Sequence, residues 1–219
     1  MIFRDRSDAG RRLAEMLAPY KQQHPVVLAL PRGGVPVGYE IARHLEAPLD
    51  VVLVRKVGAP ISPELAIGAI VEGEPVERFI NREIVDSLGV PESYIEEEVA
   101  RQTREIERRR AQYFQGRARI DIRGRTAIVV DDGIATGATM RVALHAVRRG
   151  GPARLVMAVP IAPASTIEAM RGEADELVCL DSPEDFGAIG FFYRDFKQVS
   201  DSTVIALLNA AAREIPPSS

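Results

Sequence analysis

The chain has 219 residues, of which 46% are hydrophobic and 27% are charged. This length and composition fit one globular domain with a sizeable core and argue against a disordered chain. The net charge of -3 at pH 7 gives no general attraction to nucleic acid, so we expect local features to bind any phosphate ligand and no nucleic-acid partner.

The predicted elements alternate between helix and strand along most of the chain. A first helix runs from Ser7 or Asp8 to about Pro19. Apolar residues at helical spacing separate the later strands, so we expect an α/β fold in which a parallel β-sheet is flanked by helices on both faces. Short β-branched apolar runs place those buried strands at residues 26–30, 50–54, 126–130, 154–160 and 176–180.

Two regions interrupt this alternation. Residues 55–79 are rich in proline and glycine around short β-like pieces, which predicts a mobile loop and hairpin. Residues 91–116 predict an inserted, highly charged helix with a narrow apolar seam that includes Ile95, Val99 and Tyr113. Two interpretations of this helix stay open: it touches the core along one stripe, or it forms a dimer contact.

The single cysteine and the absence of long apolar runs indicate the compartment. Cys179 has apolar neighbours, which predict a buried thiol rather than a nucleophile, and a lone cysteine excludes an internal disulfide framework. No run approaches the roughly 18 consecutive apolar residues of a membrane span. The first residues lack the apolar centre of a secretory signal. We therefore expect a cytoplasmic protein with no membrane partner.

The stretch "VVDDGIATGATM", residues 129–140, places the adjacent carboxylates Asp131 and Asp132 at the end of a predicted strand. In an open parallel sheet, ligands bind beyond the carboxyl ends of the strands. The small-residue loop that follows leads into a helix, and the first N–H groups of a helix bind phosphate. The residues predicted to hold the phosphate are Gly133, Ala135, Thr136, Gly137, Ala138 and Thr139.

The two carboxylates need partners of a different kind. Carboxylates accept hydrogen bonds from sugar hydroxyls or bind a metal ion, so a ligand with a phosphate and a vicinal diol satisfies both halves of the stretch. A ribose 5-phosphate is such a ligand. The alternative is that one aspartate caps the helix and the other is solvated. The loop from Thr136 to Thr139, at a fixed offset after the strand, favours the ligand.

The same stretch resembles the phosphoribosyl-pyrophosphate (PRPP) binding motif of type I phosphoribosyltransferases, in which an acidic pair contacts the ribose hydroxyls. "LALPRGGVPVG", residues 28–38, is similar to the pyrophosphate loop of that family. "VLVRKVGAPISPELAIGAIVEG", residues 52–73, is similar to its mobile catalytic loop, nearest to the adenine phosphoribosyltransferase type. The resemblance covers about residues 26–180. It implies a Rossmann-like phosphoribosyltransferase domain over residues 1–219, with a small C-terminal hood at about 181–215.

The resemblance also implies roles for basic residues and glycines. Pyrophosphate is a polyanion, and glycine allows the backbone N–H groups to approach it closely. Taken alone, "PRGG" is also typical of a turn. Taken alone, the Arg55–Lys56 pair is also typical of an exposed basic surface. The residues assigned to pyrophosphate are Arg32, Gly33, Gly34 and Lys56. The residues assigned to catalysis are Arg32, Arg55, Lys56, Asp131 and Asp132.

The implied reaction transfers the 5-phosphoribosyl group of PRPP to a nitrogen of a base or amine and releases pyrophosphate. Mg²⁺ is the implied cofactor, carried by PRPP, with Asp131 and Asp132 as the protein groups nearest to it. The three histidines are scattered and have no carboxylate or cysteine at ligand spacing, so no metal site made of protein ligands alone is predicted.

The acceptor is not identified by the sequence. In hypoxanthine-guanine enzymes of the family an acidic residue stands where this chain has Ala135, so that class is a poorer match. Aromatic residues cluster within residues 181–201, where Phe186, Phe191 and Tyr193 are candidates for stacking on a base. A small satellite core is the alternative explanation for this cluster.

Three functional interpretations follow. The first is a transferase with an unassigned acceptor, and a homodimer is the expected assembly. The second is a regulator that binds PRPP or a nucleotide without turnover, because a fold does not fix a function. The third is a hydrolase with water as acceptor. Since carboxylates at a strand end add little to a core, replacing both Asp131 and Asp132 by alanine is expected to abolish turnover and leave the fold intact.

Overall fold

Strands and helices alternate in a computed structural model, which describes residues 1–62, 65–73 and 76–215. The helices are α1 (Arg6–Leu17), α2 (Gly34–Leu45), α3 (Arg82–Leu88), α4 (Glu92–Phe114), α5 (Ala138–Arg149), α6 (Ala164–Ala169) and α7 (Asp201–Glu214). The strands are β1 (Val26–Ala29), β2 (Leu49–Val51), β3 (Val54–Gly58), β4 (Ala66–Val71), β5 (Glu77–Ile80), β6 (Thr126–Val130), β7 (Arg154–Ile161) and β8 (Glu176–Asp181).

Five of these strands form one parallel sheet in the order β2-β1-β6-β7-β8. In the centre of this sheet, Val27 of β1 pairs with Leu49 of β2 on one side and with Ile128 of β6 on the other. All five residues of β6 are buried, as expected for a strand covered on both faces. The α/β fold class is confirmed and all five predicted strands are present, although the strand predicted at residues 50–54 covers Leu49–Val51 and Val54 begins β3 instead.

Alternate residues of β1 enter two separate hydrophobic cores. Val27 and Ala29 pack in a core with side chains of α1, α2 and α7, whereas Val26 and Leu28 pack in a core with side chains of α5. Successive side chains of a strand point to opposite faces of the sheet, so helices must cover both faces to bury them. The carboxyl edge of the sheet, where the strands end, is left to the loops.

The region predicted as a loop and hairpin contains a second, antiparallel sheet in the order β3-β4-β5. The inserted helix is α4, and its seam residues Ile95, Val99, Ile106 and Tyr113 are all buried in the core of the chain. The seam is therefore used within the chain, as the first interpretation of this helix predicts, and a dimer contact by the helix stays a prediction. Among the described residues, no helix is long and apolar enough to cross a membrane.

A buried ion pair attaches α4 to the edge of the parallel sheet. Asp50 on β2 is 3% exposed, and its Oδ1 lies 2.7 Å from Nη1 of Arg110 on α4. The same carboxylate accepts hydrogen bonds from the backbone N–H groups of Val51 and Ile120. The Arg110 guanidinium lies over the Phe114 ring, 3.7 Å from its centroid. One carboxylate thus joins β2, α4 and the segment before β6.

Replacement of Arg110 by alanine is expected to lower the free energy of unfolding by about 3 to 5 kcal/mol, because Asp50 would be left buried without its cation. Urea unfolding followed by circular dichroism measures this change. The matched control is Arg108→Ala on the same helix, where an exposed pair with Glu105 is lost, with an expected change of less than about 1 kcal/mol. Equal losses in the two variants would contradict the role of the Asp50–Arg110 pair.

Candidate active site

Two predicted loops meet at the carboxyl ends of the neighbouring strands β1 and β6. The N–H of Leu30 donates to the carbonyl oxygen of Val130 at 2.8 Å, and the next turn contains a cis peptide bond between Pro31 and Arg32. A Cβ atom on Gly33 would lie 2.1 Å from Oδ2 of Asp132, and one on Gly34 would lie 2.7 Å from the carbonyl oxygen of Val130. Only glycine fits at these contacts, so the structure brings the predicted pyrophosphate loop against the acidic pair.

Asp132 is buried and held by hydrogen bonds from two side chains. It is 8% exposed, its Oδ2 accepts from Nε of Arg6 at 2.7 Å, and its carbonyl oxygen accepts from the hydroxyl of Tyr193 at 2.6 Å. Arg6 is fixed in turn, because its Nη1 donates to the carbonyl oxygen of Lys197 and its guanidinium lies 3.9 Å from the Phe196 ring centroid. Sequence reasoning missed Arg6, which is 126 residues away in the chain and has no local motif.

Asp131 differs from Asp132 in its surroundings. Its Oδ1 accepts from the N–H of Asp132 at 2.8 Å, and its side chain is half-buried. Burial and the adjacent Asp132 carboxylate raise the pKa of Asp131 well above its usual range. Burial also raises the pKa of Asp132, although the Arg6 guanidinium opposes that effect. Arg6 therefore neutralises one carboxylate of the pair and leaves the other to accept hydrogen bonds from a ligand.

The loop after the acidic pair has the geometry of an anion site. Gly137 is the N-cap of α5 in a left-handed conformation with φ 75°, so the N-cap residue supplies no side-chain bond, and the N–H of Ala138 has only a long contact of 3.5 Å with Oγ1 of Thr136. The N–H groups of the first helical turn have no partner within the helix. Ala135, Thr136, Ala138 and Thr139 are exposed around this helix start. The structure thus places the predicted phosphate-binding residues together at an uncapped helix N-terminus.

The basic pair on β3 shares a cavity with this loop. Arg55 and Lys56 line a cavity of about 430 Å³ together with Thr139 and residues of α4. Sequence analysis expected no site residue in α4, yet Tyr94, Glu98, Arg101 and Gln102 form one wall of the cavity. These four residues meet Arg55 and Lys56 only in the folded chain, and nothing in the charged sequence of the helix marks their positions.

Arg32, the remaining predicted basic residue, lies beside the start of α7. Its Nη1 is 4.0 Å from Oδ1 of Asp201, and that same oxygen accepts from the hydroxyl of Tyr113 at 2.6 Å. Its side chain keeps 35% exposure. Arg32 can therefore exchange a long contact with Asp201 for a contact with a bound anion.

The predicted aromatic residues have three different environments. Tyr193 is 6% exposed, and its ring packs between Phe3 and Phe196, so it is not open to a stacking base and that prediction is corrected. Phe186 is half-buried against Phe192, in the satellite core that was the alternative explanation. Phe191 is 75% exposed. Of the three candidates, Phe191 alone presents a largely open ring.

A larger cavity lies at the far end of α5. It has a volume of about 1050 Å³ and is lined by residues that include Asp50, Glu72, Arg119 and Arg149. Within the described ranges, none of the predicted site residues lines it. The larger cavity therefore does not coincide with the predicted site, which lies where the two loops meet at the ends of β1 and β6.

A known protein family matches most of the chain. Residues 5–197 match the family model described as the phosphoribosyl transferase domain. The chain belongs to this phosphoribosyl transferase family. The resemblance to type I phosphoribosyltransferases inferred from the sequence is confirmed.

Individual relatives extend this result. The Mycobacterium tuberculosis (strain ATCC 25618 / H37Rv) protein named "Putative phosphoribosyl transferase Rv0571c" is 46% identical over 213 residues, which are 97% of this chain and 48% of that protein. The chain thus spans about half the length of the curated relatives it matches. The structure of the protein TT1426 from Thermus thermophilus is 47% identical, with a TM-score of 0.81 over 95% of this chain and 98% of that one.

A more distant structure shares the fold alone. A hypothetical protein from Neisseria gonorrhoeae, solved with bound ppGpp, is 15% identical with a TM-score of 0.52 over 95% of this chain and 96% of that one.

Asp131→Asn is expected to raise the melting temperature at neutral pH. The pKa of Asp131 is higher in the folded than in the unfolded chain, so ionisation of this carboxyl costs stability above its folded pKa and costs nothing below about pH 4. Asparagine removes that cost, and its Oδ1 still accepts from the N–H of Asp132. Calorimetry should show a gain of about 2 to 4 °C for each kcal/mol recovered, and the gain should vanish at acidic pH.

The control variant is expected to shift the melting temperature in the opposite direction. Hydrogen bonds from Arg148 hold the pKa of Asp175 below its usual value, so the ionised form of Asp175 stabilises the fold. Asp175→Asn should therefore lower the melting temperature at neutral pH, and the loss should disappear at acidic pH. Shifts of the same sign in both variants would contradict the assignment of a raised pKa to Asp131.

Proposed function

We propose that the chain transfers the 5-phosphoribosyl group of PRPP to a nitrogen of a base or amine and releases pyrophosphate. The observation that carries this proposal is the close packing of Gly33 against Asp132, since a Cβ atom on Gly33 would lie 2.1 Å from Oδ2 of Asp132. It supports a single site in which a pyrophosphate cradle and an acceptor of ribose hydroxyls lie next to each other, with an anion-binding helix start beyond them.

Each part of PRPP has a chemically matched group. The open carboxylate of Asp131 accepts hydrogen bonds from the ribose diol, while Asp132, held by Arg6, keeps the loop in place. The residues from Gly133 to Thr139 bind the 5-phosphate at the start of α5. Arg32, the Gly33–Gly34 turn and the Arg55–Lys56 pair bind pyrophosphate.

The chemical step breaks the anomeric C–O bond, and its electron pair leaves on pyrophosphate. The acceptor nitrogen donates its lone pair to the anomeric carbon and afterwards loses a proton. Positive charge develops on the sugar and negative charge on the leaving group. Fixed protein charges of opposite sign near each of them therefore lower the barrier. Asp131 lies on the sugar side and the arginines and lysine on the leaving-group side. Closure of the loop within residues 56–79 over the site, to exclude water, stays a prediction.

The donor set fits Mg²⁺ that is bound mainly by PRPP. Among the described residues, no group of three or more His, Cys, Asp or Glu side chains is arranged to hold a metal ion. Asp131 and Asp132 are adjacent, but Arg6 already pairs with Asp132, so the ligand must supply most of the oxygens. When bound, Mg²⁺ neutralises charge on the leaving pyrophosphate.

The alternative functions use the same site. A regulator would bind PRPP or a nucleotide without turnover, and a hydrolase would use water as acceptor. The basic residues around the pyrophosphate side, Arg32 and the Arg55–Lys56 pair, favour transfer, since a sensor of monophosphates has no need of them. The homodimer, the cytoplasmic location and the boundaries of the core and hood stay predictions.

The direct test is pyrophosphate release from PRPP and Mg²⁺, with adenine, guanine, hypoxanthine, xanthine, uracil and orotate offered separately. Release that depends on one base is the expected result and names the acceptor. Release without any base supports the hydrolase. Silence throughout, with saturable binding of PRPP in the same preparation, supports the regulator.

Asp131→Asn is also expected to lower kcat/KM at least roughly 100-fold, because a site carboxylate that meets the sugar loses its charge. The structure corrects the expectation that both aspartates are dispensable for the fold. Asp132→Ala leaves Arg6 half-buried without its partner, so the double alanine variant is a poorer test than this one. Steady-state kinetics beside the exposed control Glu168→Gln measures the effect, and near wild-type activity in Asp131→Asn would refute the site assignment.

A further inference from the structure

The wall that α4 contributes to the cavity beside Arg55 contains two buried polar side chains. Glu98 is 8% exposed and Gln102 is 5% exposed, although most of the helix surface is charged and solvated. Buried polar groups are costly unless they are hydrogen-bonded. Both residues face the cavity that holds Arg55, Lys56 and Thr139.

Gln102 connects a cation to a carboxylate. Its Oε1 accepts from Nε of Arg55 at 2.9 Å, and its Nε2 donates to Oε1 of Glu98 at 2.8 Å. Glu98 also accepts from Nε and Nη2 of Arg101, at 2.7 and 2.6 Å. An amide can perform both tasks because it carries an acceptor and a donor, with no charge of its own.

This arrangement fixes Arg55 without neutralising it. In the part of the chain that the structure describes, Arg55 forms no ion pair with a carboxylate within 4.0 Å, although Glu98 lies one residue further along the network. Burial, followed by the nearby Arg109 guanidinium, lowers the pKa of Arg55, while the Glu105 and Glu98 carboxylates act in the opposite direction. The bond to Gln102 uses Nε and leaves the Nη1 and Nη2 fork for an anion.

We infer that Gln102 is a positioning residue that holds the Arg55 fork toward the pyrophosphate of the substrate. This inference rests on the proposed function and adds to it a residue of the inserted helix. A leucine at this position would release Arg55 to rotate. A glutamate would still accept from Nε but would pair with Arg55 and place a second carboxylate beside Glu98.

A double-mutant cycle between Arg55→Ala and Gln102→Leu tests this inference on the full chain. Two quantities are measured: binding of inorganic pyrophosphate with Mg²⁺ by calorimetry, and kcat and KM for PRPP with the acceptor found above. We expect Gln102→Leu to weaken pyrophosphate binding and to lower kcat roughly tenfold or more. In the Arg55→Ala background, the same substitution should have no further effect, because Gln102 acts through Arg55.

Two further variants separate positioning from folding. Gln112→Leu is the matched control, since this glutamine lies on the same helix and bonds to the exposed Arg108. It should leave binding and kinetics unchanged. Gln102→Glu can still accept from Nε of Arg55 but should weaken pyrophosphate binding, because its carboxylate neutralises the guanidinium; the melting temperature of each variant shows whether a loss reflects unfolding instead.

The outcomes distinguish this inference from the proposed function. One result is that the cycle shows Arg55 and Gln102 to be coupled in pyrophosphate binding while the wild type transfers to no acceptor. That result would support the role of Gln102 and count against the transferase. If the wild type is an active transferase and Gln102→Leu reduces binding and kcat equally in the wild-type and Arg55→Ala backgrounds, the transferase is supported and the inference is overturned. Failure of the wild type to bind pyrophosphate would also overturn it.

Discussion

The candidate site depends on the packing of the Gly33–Gly34 turn against the Asp131–Asp132 pair. Parallel strands that are neighbours in a sheet end side by side, so the loops that follow β1 and β6 must share the same space. A side chain on Gly33 would overlap the Asp132 carboxylate. The absence of that side chain lets the turn after β1 and the acidic pair lie within a few ångströms of each other.

Charge balance explains the remaining features of this pair. Two adjacent carboxylates at a half-buried strand end repel each other and lose solvation, so one of them requires a fixed cation. Arg6 meets this need better than a lysine would, because its planar guanidinium bonds to Asp132 and Lys197 while it lies on the Phe196 ring. The segment after β8 therefore supports Asp132 through Tyr193, Phe196 and Lys197, and only Phe191 among its predicted aromatic residues stays open to a base.

Sequence reasoning succeeded where the signal was local. The strands follow from short apolar runs, and Asp131, Asp132 and the loop to Thr139 follow from fixed spacing along the chain. It failed where contacts join distant residues: Arg6 meets Asp132 across 126 positions, and Arg55 meets Gln102 across 47. Composition also could not separate a buried Tyr193 from an exposed Phe191, since both belong to the same aromatic cluster.

The helix α4 performs two tasks that are usually separate. One half carries Gln102 in the wall of the candidate site, and Arg110, about 12 Å further along the helix axis, closes the buried pair with Asp50. Shifting or exchanging this helix to alter ligand preference would therefore also disturb the anchor of the sheet edge. Changes to α4 that alter ligand preference are therefore expected to lower the melting temperature as well. Directed evolution of this helix should begin from a stabilised parent.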